Sequence, residues 1–184
     1  MSDKRIEATR AAIGNALLHL LESKRLAEIT VADISRQAGI SRSTFYAHYP
    51  NPQGAYRALM AEFVAETQSL PMQLKTGDCA DCASKALPFC EAISRSPKWR
   101  AFTRDPLFLE TFFDMAENAI NPETAVMYRK LDISEEEALA LNRFQISGCY
   151  HAALTYGESD KWAQMRGMID EFIRGGTNAI RSRF

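Results

Sequence analysis

Residues 42 to 48, Arg-Ser-Thr-Phe-Tyr-Ala-His, bring a guanidinium, two hydroxyls, a phenol and an imidazole together in one short stretch. On a helix, Phe45 and Tyr49 lie four apart and face inward, which leaves Arg42, Ser43, Thr44, Tyr46, Ala47 and His48 on the outer side. Donors and small side chains of this kind suit base edges and phosphate oxygens. A second group is Cys79-x-x-Cys82, near an expected helix start whose dipole lowers a thiol pKa, so a dithiol redox pair is chemically reasonable. A zinc site would need two more ligands, and only Cys90 and His151 are on hand, so no metal is expected. With Ala-rich neighbours, ordinary packing is the simpler role for these cysteines. His151 is the one candidate base in the C-terminal part. Without a Gly-rich phosphate loop, a Gly-x-Ser-x-Gly elbow or a His-Glu-x-x-His pair, neither catalysis nor a cofactor is expected.

The elements around residues 42 to 48 are well signposted. Thr30 is placed to cap a helix, with Asp33 three residues on completing the capping signal, while Val31, Ile34 and Ala38 give that helix an apolar face. Gly39 stops it, because glycine enters the left-handed region without a Cβ penalty. Ile40 follows as a buried plug, and Ser41 caps the next helix. The spacing predicts two short helices about a glycine turn, then a third helix opened by Asn51 as cap and Pro52 at its first position.

This stretch resembles the N-terminal DNA-binding domain of TetR/AcrR-type transcriptional regulators. The likeness is carried by Ala38-Gly39-Ile40-Ser41, then Thr44-Phe45-Tyr46-x-His48-Tyr49, then Pro50 and a further helix, and it covers roughly the first sixty residues. The resemblance implies base reading by Arg42, Ser43 and Thr44, phosphate contacts by Tyr46 and His48, and a backbone contact by Thr30. It also implies a small-molecule effector and a homodimer made by a four-helix bundle from the last two long helices of each chain. One departure stands out: where the family commonly has a phosphate-gripping lysine after the recognition helix, this chain has Pro52. Non-specific DNA affinity is therefore expected to fall below the family norm.

The chain of 184 residues, 46% apolar and 24% charged, has the composition of a globular protein. Residues 1 to 60 hold eight Lys/Arg against five Asp/Glu and the remainder fourteen against eighteen, so a modest cationic excess sits with the donor-rich helix. No apolar run reaches the ~18 residues of a membrane span, and the start lacks a signal-peptide core, so a cytoplasmic protein is expected.

The pattern is helical nearly throughout, and an all-α fold is expected: a three-helix DNA-binding unit over 1–52 and a helical effector-binding and dimerisation bundle over 53–184. Helices are predicted from Arg5 to Ser23 and from Gln53 to Leu70, then at 79–95, 98–104, 106–120 and 122–131. Two long ones follow, from Ser134 as cap to Tyr156 and from Asp160 to Ile180. Apolar residues fall on more than one side of the first of these two, with Leu139, Ile146, Tyr150 and Ala153 on one face. A second subunit is expected to cover Ile146, Tyr150, Ala153, Met165, Ile169, Phe172 and Ile173.

Residues 87 to 128 are dense in aromatics and methionine. Phe89, Trp99, Phe102, Phe108, Phe112, Met115, Met127 and Tyr128, with Phe144, are the candidates for lining an effector site, and of Phe112 and Phe113 only one is expected to face it. Arg100, Arg104 or Tyr128 would supply a polar anchor. The reading as a whole is a DNA-binding regulator, a repressor released from an inverted-repeat operator by an effector. The competing readings are a thiol-based sensor using Cys79 and Cys82, and a helical adaptor without DNA.

Overall fold

The computed structural model describes residues 3–68, 93, 96–117 and 131–182, and every regular element among them is helical. In chain order the α-helices are α1 (Asp3–Leu21), α2 (Val31–Ala38), α3 (Arg42–Tyr46), α4 (Pro52–Gln68), α5 (Arg100–Arg104), α6 (Phe108–Glu117), α7 (Glu135–Tyr156) and α8 (Trp162–Arg181). A short 3-10 turn, Leu26–Glu28, stands between α1 and α2. Nearly all of the predicted helices at 79–95 and 122–131 lies outside the described residues. The chain divides into two compact units, the first made of Met1–Ala65 and Pro97–Thr111, the second of Glu66–Ser96 and Phe112–Phe184. The division therefore falls along α4 rather than at 52/53, and a segment 45 residues beyond the expected boundary returns to the first unit.

Local chemistry explains the early elements. Ile13, Ala16, Leu17 and Leu21 bury one stripe of α1. Gly14 lets α4 come close, since a Cβ there would stand 3.2 Å from Leu59 Cδ2. At the start of α2, Thr30 Oγ1 accepts from the Asp33 N–H at 3.2 Å and the Asp33 carboxylate accepts from the Thr30 N–H at 3.1 Å, a complete capping box. Gly39 ends the helix at φ 66°, and the Ile40 N–H reaches back to the Ser35 carbonyl at 3.0 Å, satisfying one of the last carbonyls.

What holds the first unit together is an aromatic stack contributed by both of its pieces. Tyr56 and Phe63 of α4 meet Phe102 and Trp99, with ring centroids 4.6 Å apart for Tyr56 and Phe102 and 5.5 Å for Phe63 and Trp99. Phe108 closes the cluster, edge-on to Phe63 at 5.2 Å and to Phe102 at 5.3 Å. Trp99, Phe102 and Phe108 are thus core residues packed ring against ring, which corrects their assignment to an effector lining. Beside them Asp105, itself buried, accepts hydrogen bonds from the Leu26 N–H at 2.9 Å and the Leu107 N–H at 3.0 Å, with the Tyr56 hydroxyl at 3.4 Å.

In the second unit α7 opens on the Ser134/Glu137 capping box and buries Ala138, Asn142, Ile146, Tyr150 and Ala153. Leu131 and Ala138 form a small core with Ile133, Leu141 and Ile180 packed against it. Both Phe112 and Phe113 are buried, rings 5.8 Å apart, and Arg143 lies over the Phe113 ring at 4.6 Å. The expectation that one of the two would turn outward is corrected: a guanidinium face covers what solvent would otherwise meet. Met115 is half-buried.

Two assignments on α7 are also corrected. Ile146, Tyr150 and Ala153 are 4%, 5% and 2% exposed in the single chain, so they are core and not an outward dimer face. Phe144, offered as an effector contact, is 71% exposed. The stripe with helical periodicity is the one buried in the chain, and the off-stripe aromatic is the one left outside. Leu139, placed with Ile146, is exposed as well.

Candidate nucleic-acid interface

The α2–Gly39–α3 element is built to present α3. Phe45 is fully buried and anchors it, with Tyr46 edge-on to its ring at 5.8 Å and Tyr49 at 6.0 Å. Anchoring from below leaves Arg42, Ser43 and Tyr46 exposed above and Thr44 half-buried at the margin. The helix is only five residues long, and Ala47 is its C-terminal cap, so Ala47 and His48 lie past its end rather than on its outer face. Ala47 remains exposed and His48 half-buried, with its ring tilted beside that of Tyr49 at 6.4 Å.

Three hydroxyls are gathered at the start of α3. Ser41 Oγ accepts from the Thr44 N–H at 3.0 Å and lies 2.8 Å from both Ser43 Oγ and Thr44 Oγ1. These rotors satisfy one another in the free protein and can turn outward to an acceptor at no cost in backbone geometry. Ser41 is thus a hub of the surface as well as a cap. Sequence reasoning had named only the cap.

Thr30 stands at the N-terminal cap of α2. Its hydroxyl donates to Asp33 Oδ2 at 2.8 Å while accepting from the Asp33 N–H, so both functions of the side chain serve the cap. Hydrogen bonds from the Thr30 hydroxyl and N–H, with Lys24 nearby, hold the Asp33 carboxyl below the usual carboxylate range. An acid at this end would repel a phosphate. Lys24 at 3.5 Å and Arg36 at 2.7 Å offset it; of these two cations the i,i+3 spacing from Asp33 signals Arg36, and nothing local signals Lys24.

The remaining candidates sort simply. Phe89, Met127, Tyr128, Cys79, Cys82 and Cys90 lie outside the described residues. On the last two helices Phe172 is 73% exposed, and Met165, Ile169 and Ile173 are half-buried. His151 is exposed, its Nδ1 2.8 Å from the Ser147 carbonyl. Burial, with the negative Asp170 adding to it, pushes the Cys149 thiol up to about 11, so it is not a thiolate at neutral pH. Among the described residues no cluster of His, Cys, Asp and Glu is arranged to hold a metal, and no helix is long and apolar enough to cross a membrane.

No protein-family model matches the chain. Part of the chain is similar to helix-turn-helix-type transcriptional regulators. It is 38% identical over 65 residues to YxbF of Bacillus subtilis, covering 35% of this chain and 17% of that protein. To EthR of Mycolicibacterium smegmatis it is 39% identical over 59 residues, 32% of this chain and 27% of the relative. To EthR of Mycobacterium tuberculosis it is 32% identical over 94 residues, 51% and 37% of the two. The chain thus spans less than two fifths of the length of these relatives. A solved structure, that of the TetR family repressor AlkX from a Dietzia strain, aligns over 95% of this chain and 94% of its own with 19% identity and a TM-score of 0.44.

Proposed function

We propose that this chain is a DNA-binding transcriptional regulator of the TetR/AcrR type, a homodimer that holds an inverted-repeat operator and leaves it when a small-molecule effector binds. The observation that carries the reading is α3 itself: a helix pinned from beneath by a fully buried Phe45, with Arg42, Ser43 and Tyr46 exposed on the opposite side. Similarity of part of the chain to helix-turn-helix regulators supports the same reading. In this reading Arg42 reads a base bidentately, the Ser43 and Thr44 hydroxyls turn from Ser41 to base edges or phosphates, and Tyr46 and His48 hold the backbone. Thr30 acts through the helix it caps, α2. Ala47 contributes by being small, allowing close approach.

Dimerisation is assigned to α7 and α8. Their exposed apolar side chains Phe144, Met168 and Phe172, the last joining Met165, Ile169 and Ile173 on α8, are supported as the contact set by their exposure, in place of Ile146, Tyr150 and Ala153. A two-fold dimer of this type sets its two recognition helices about 34 to 36 Å apart, one turn of B-DNA. No catalytic role is assigned, and the protein is placed in the cytoplasm. The test is selection of bound fragments from random or genomic DNA, followed by gel shift. An inverted repeat retained by the native chain and lost with Arg42→Ala is expected; no sequence preference at all would refute the reading.

A further inference from the structure

The hydroxyls of Ser41, Ser43 and Thr44 meet at one oxygen. Ser41 Oγ accepts from the Thr44 N–H at 3.0 Å and stands 2.8 Å from both Ser43 Oγ and Thr44 Oγ1. A serine oxygen has two lone pairs and one proton. The Thr44 N–H occupies one lone pair, which leaves a single acceptor position and a single proton for the two hydroxyls. One of them therefore donates to Ser41 while the other accepts from it. The one that donates keeps only lone pairs for an outside partner, whereas the one that accepts keeps its proton. The two roles can exchange between Ser43 and Thr44. Both cannot offer a proton outward at once unless a bond to Ser41 is given up. Ser43 is exposed and Thr44 half-buried, and Arg42, which precedes them, is exposed as well.

We propose that Ser41 sets the hydrogen-bonding polarity of the Ser43 and Thr44 hydroxyls, so that this pair reads adenine and disfavours guanine; the inference rests on the DNA-binding reading above and deepens it. In the major groove adenine alone of the four bases presents an acceptor, N7, beside a donor, the N6 amino group. Guanine presents two acceptors, and thymine and cytosine one hydrogen-bonding group each. A pair that offers one proton and one lone pair matches the adenine edge with both bonds to Ser41 intact. At guanine it must leave an acceptor unmet or give up one of those bonds, a loss of about two- to tenfold in affinity, the worth of one hydrogen bond. Arg42, with N–H donors and no acceptor, has the opposite preference. The start of α3 thus divides the purines, guanine to the guanidinium and adenine to the hydroxyl pair. Ser41 is a positioning residue, acting through two neighbours without itself touching a base.

The experiment uses the full chain and a pool of random-sequence duplexes. In the half-site retained from the pool, the adenine whose replacement by guanine costs most is replaced in turn by 7-deazaadenine, which lacks the N7 acceptor, and by purine, which lacks the amino donor. Gel shifts with the native chain should show a loss of about two- to tenfold for each. Ser41→Gly keeps a competent cap but removes the shared oxygen, so the preference for adenine over guanine at that position should shrink to within about twofold. Ser41→Thr retains one oxygen with one proton and should keep the native preference. Circular dichroism checks the fold of each variant. If Ser41→Gly does not fold, Ser41→Asn takes its place: it caps as well, and its amide NH2 supplies two protons, so the same loss of preference is expected. A half-site with no such adenine, or an adenine-to-guanine ratio that Ser41→Gly leaves as in the native chain, overturns the proposal while the regulator reading stands. A pool from which no sequence is retained overturns that reading, and this inference with it.

Discussion

The carboxylate of Asp105 receives the backbone N–H of Leu26 at 2.9 Å, across 79 positions of sequence. A buried acid that caps a turn in the N-terminal piece from a loop so far along the chain makes the two pieces of the first unit interdependent. Replacement by Asn keeps the shape but turns an amide donor toward one of the N–H groups. Asp105→Asn is therefore expected to cost about 2 to 3 kcal/mol, the loss of a charge-assisted bond with a buried donor left unmatched. Denaturant unfolding measures it, and a change within experimental error would show that the bond contributes little.

Arg42→Ala should cost on the order of 1 to 3 kcal/mol of operator binding and relax preference at one base pair per half-site. Tyr46→Phe should weaken all sequences alike. Quantitative gel shifts on an operator and its single-base variants separate the two patterns, and equal losses on every sequence for Arg42→Ala would remove it from base reading.

Gly39→Ala places a Cβ at φ 66°, where nothing else lies within 4 Å, so the penalty is backbone strain alone. A loss of about 1 to 2 kcal/mol in stability is expected. Because the strain sits between α2 and α3, DNA affinity should fall with it, and thermal melts read alongside gel shifts test the pairing.

Phe172→Glu and Ile146→Glu should part company. The first alters an exposed side chain and should yield a folded monomer by sedimentation; the second buries an unpaired charge and should unfold the second unit, at a cost of several kcal/mol. A Phe172→Glu protein that stayed dimeric would move the interface off this face.

Acid should weaken the fold partly through two helix caps. Hydrogen bonds from Thr30 hold the Asp33 carboxyl low, and those from Ser134 do the same for Glu137. For a carboxyl whose folded pKa is depressed, the stability it lends is present above the unfolded value and is lost as pH falls through the folded one, here below about pH 4. Melting temperatures followed down to pH 3 should fall less steeply in Asp33→Asn/Glu137→Gln than in the native chain.

How far the sequence could be read follows from the range of each interaction. The cap at Thr30 with Asp33, the stop at Gly39, the cap at Ser41 and the opening of α7 at Ser134 each depend on residues at most three or four apart, and each is present. The inward turn of Phe45 is likewise local. Ile146 and Phe144 were exchanged because α7 has two apolar sides, and periodicity marks a stripe without saying which neighbour covers it. Asp105, followed by Pro106, reads as a loop signal, and nothing nearby announces a partner at Leu26. The ring contacts of Trp99 and Phe102 with Phe63 were hidden for the same reason.

The split make-up of the first unit also bears on how the protein is born. Synthesis delivers Met1–Ala65 first, with Phe63 and Tyr56 still lacking the rings of Trp99, Phe102 and Phe108, and the Leu26 N–H lacking Asp105. At roughly 5 to 20 residues per second, several seconds pass before the segment ending at Thr111 is made, and longer before it clears the ribosome. During that interval the nascent recognition element has its caps but only part of its foundation. A chain that ends before Pro97 would have α1 to α4 without those rings and without the carboxylate beneath Leu26.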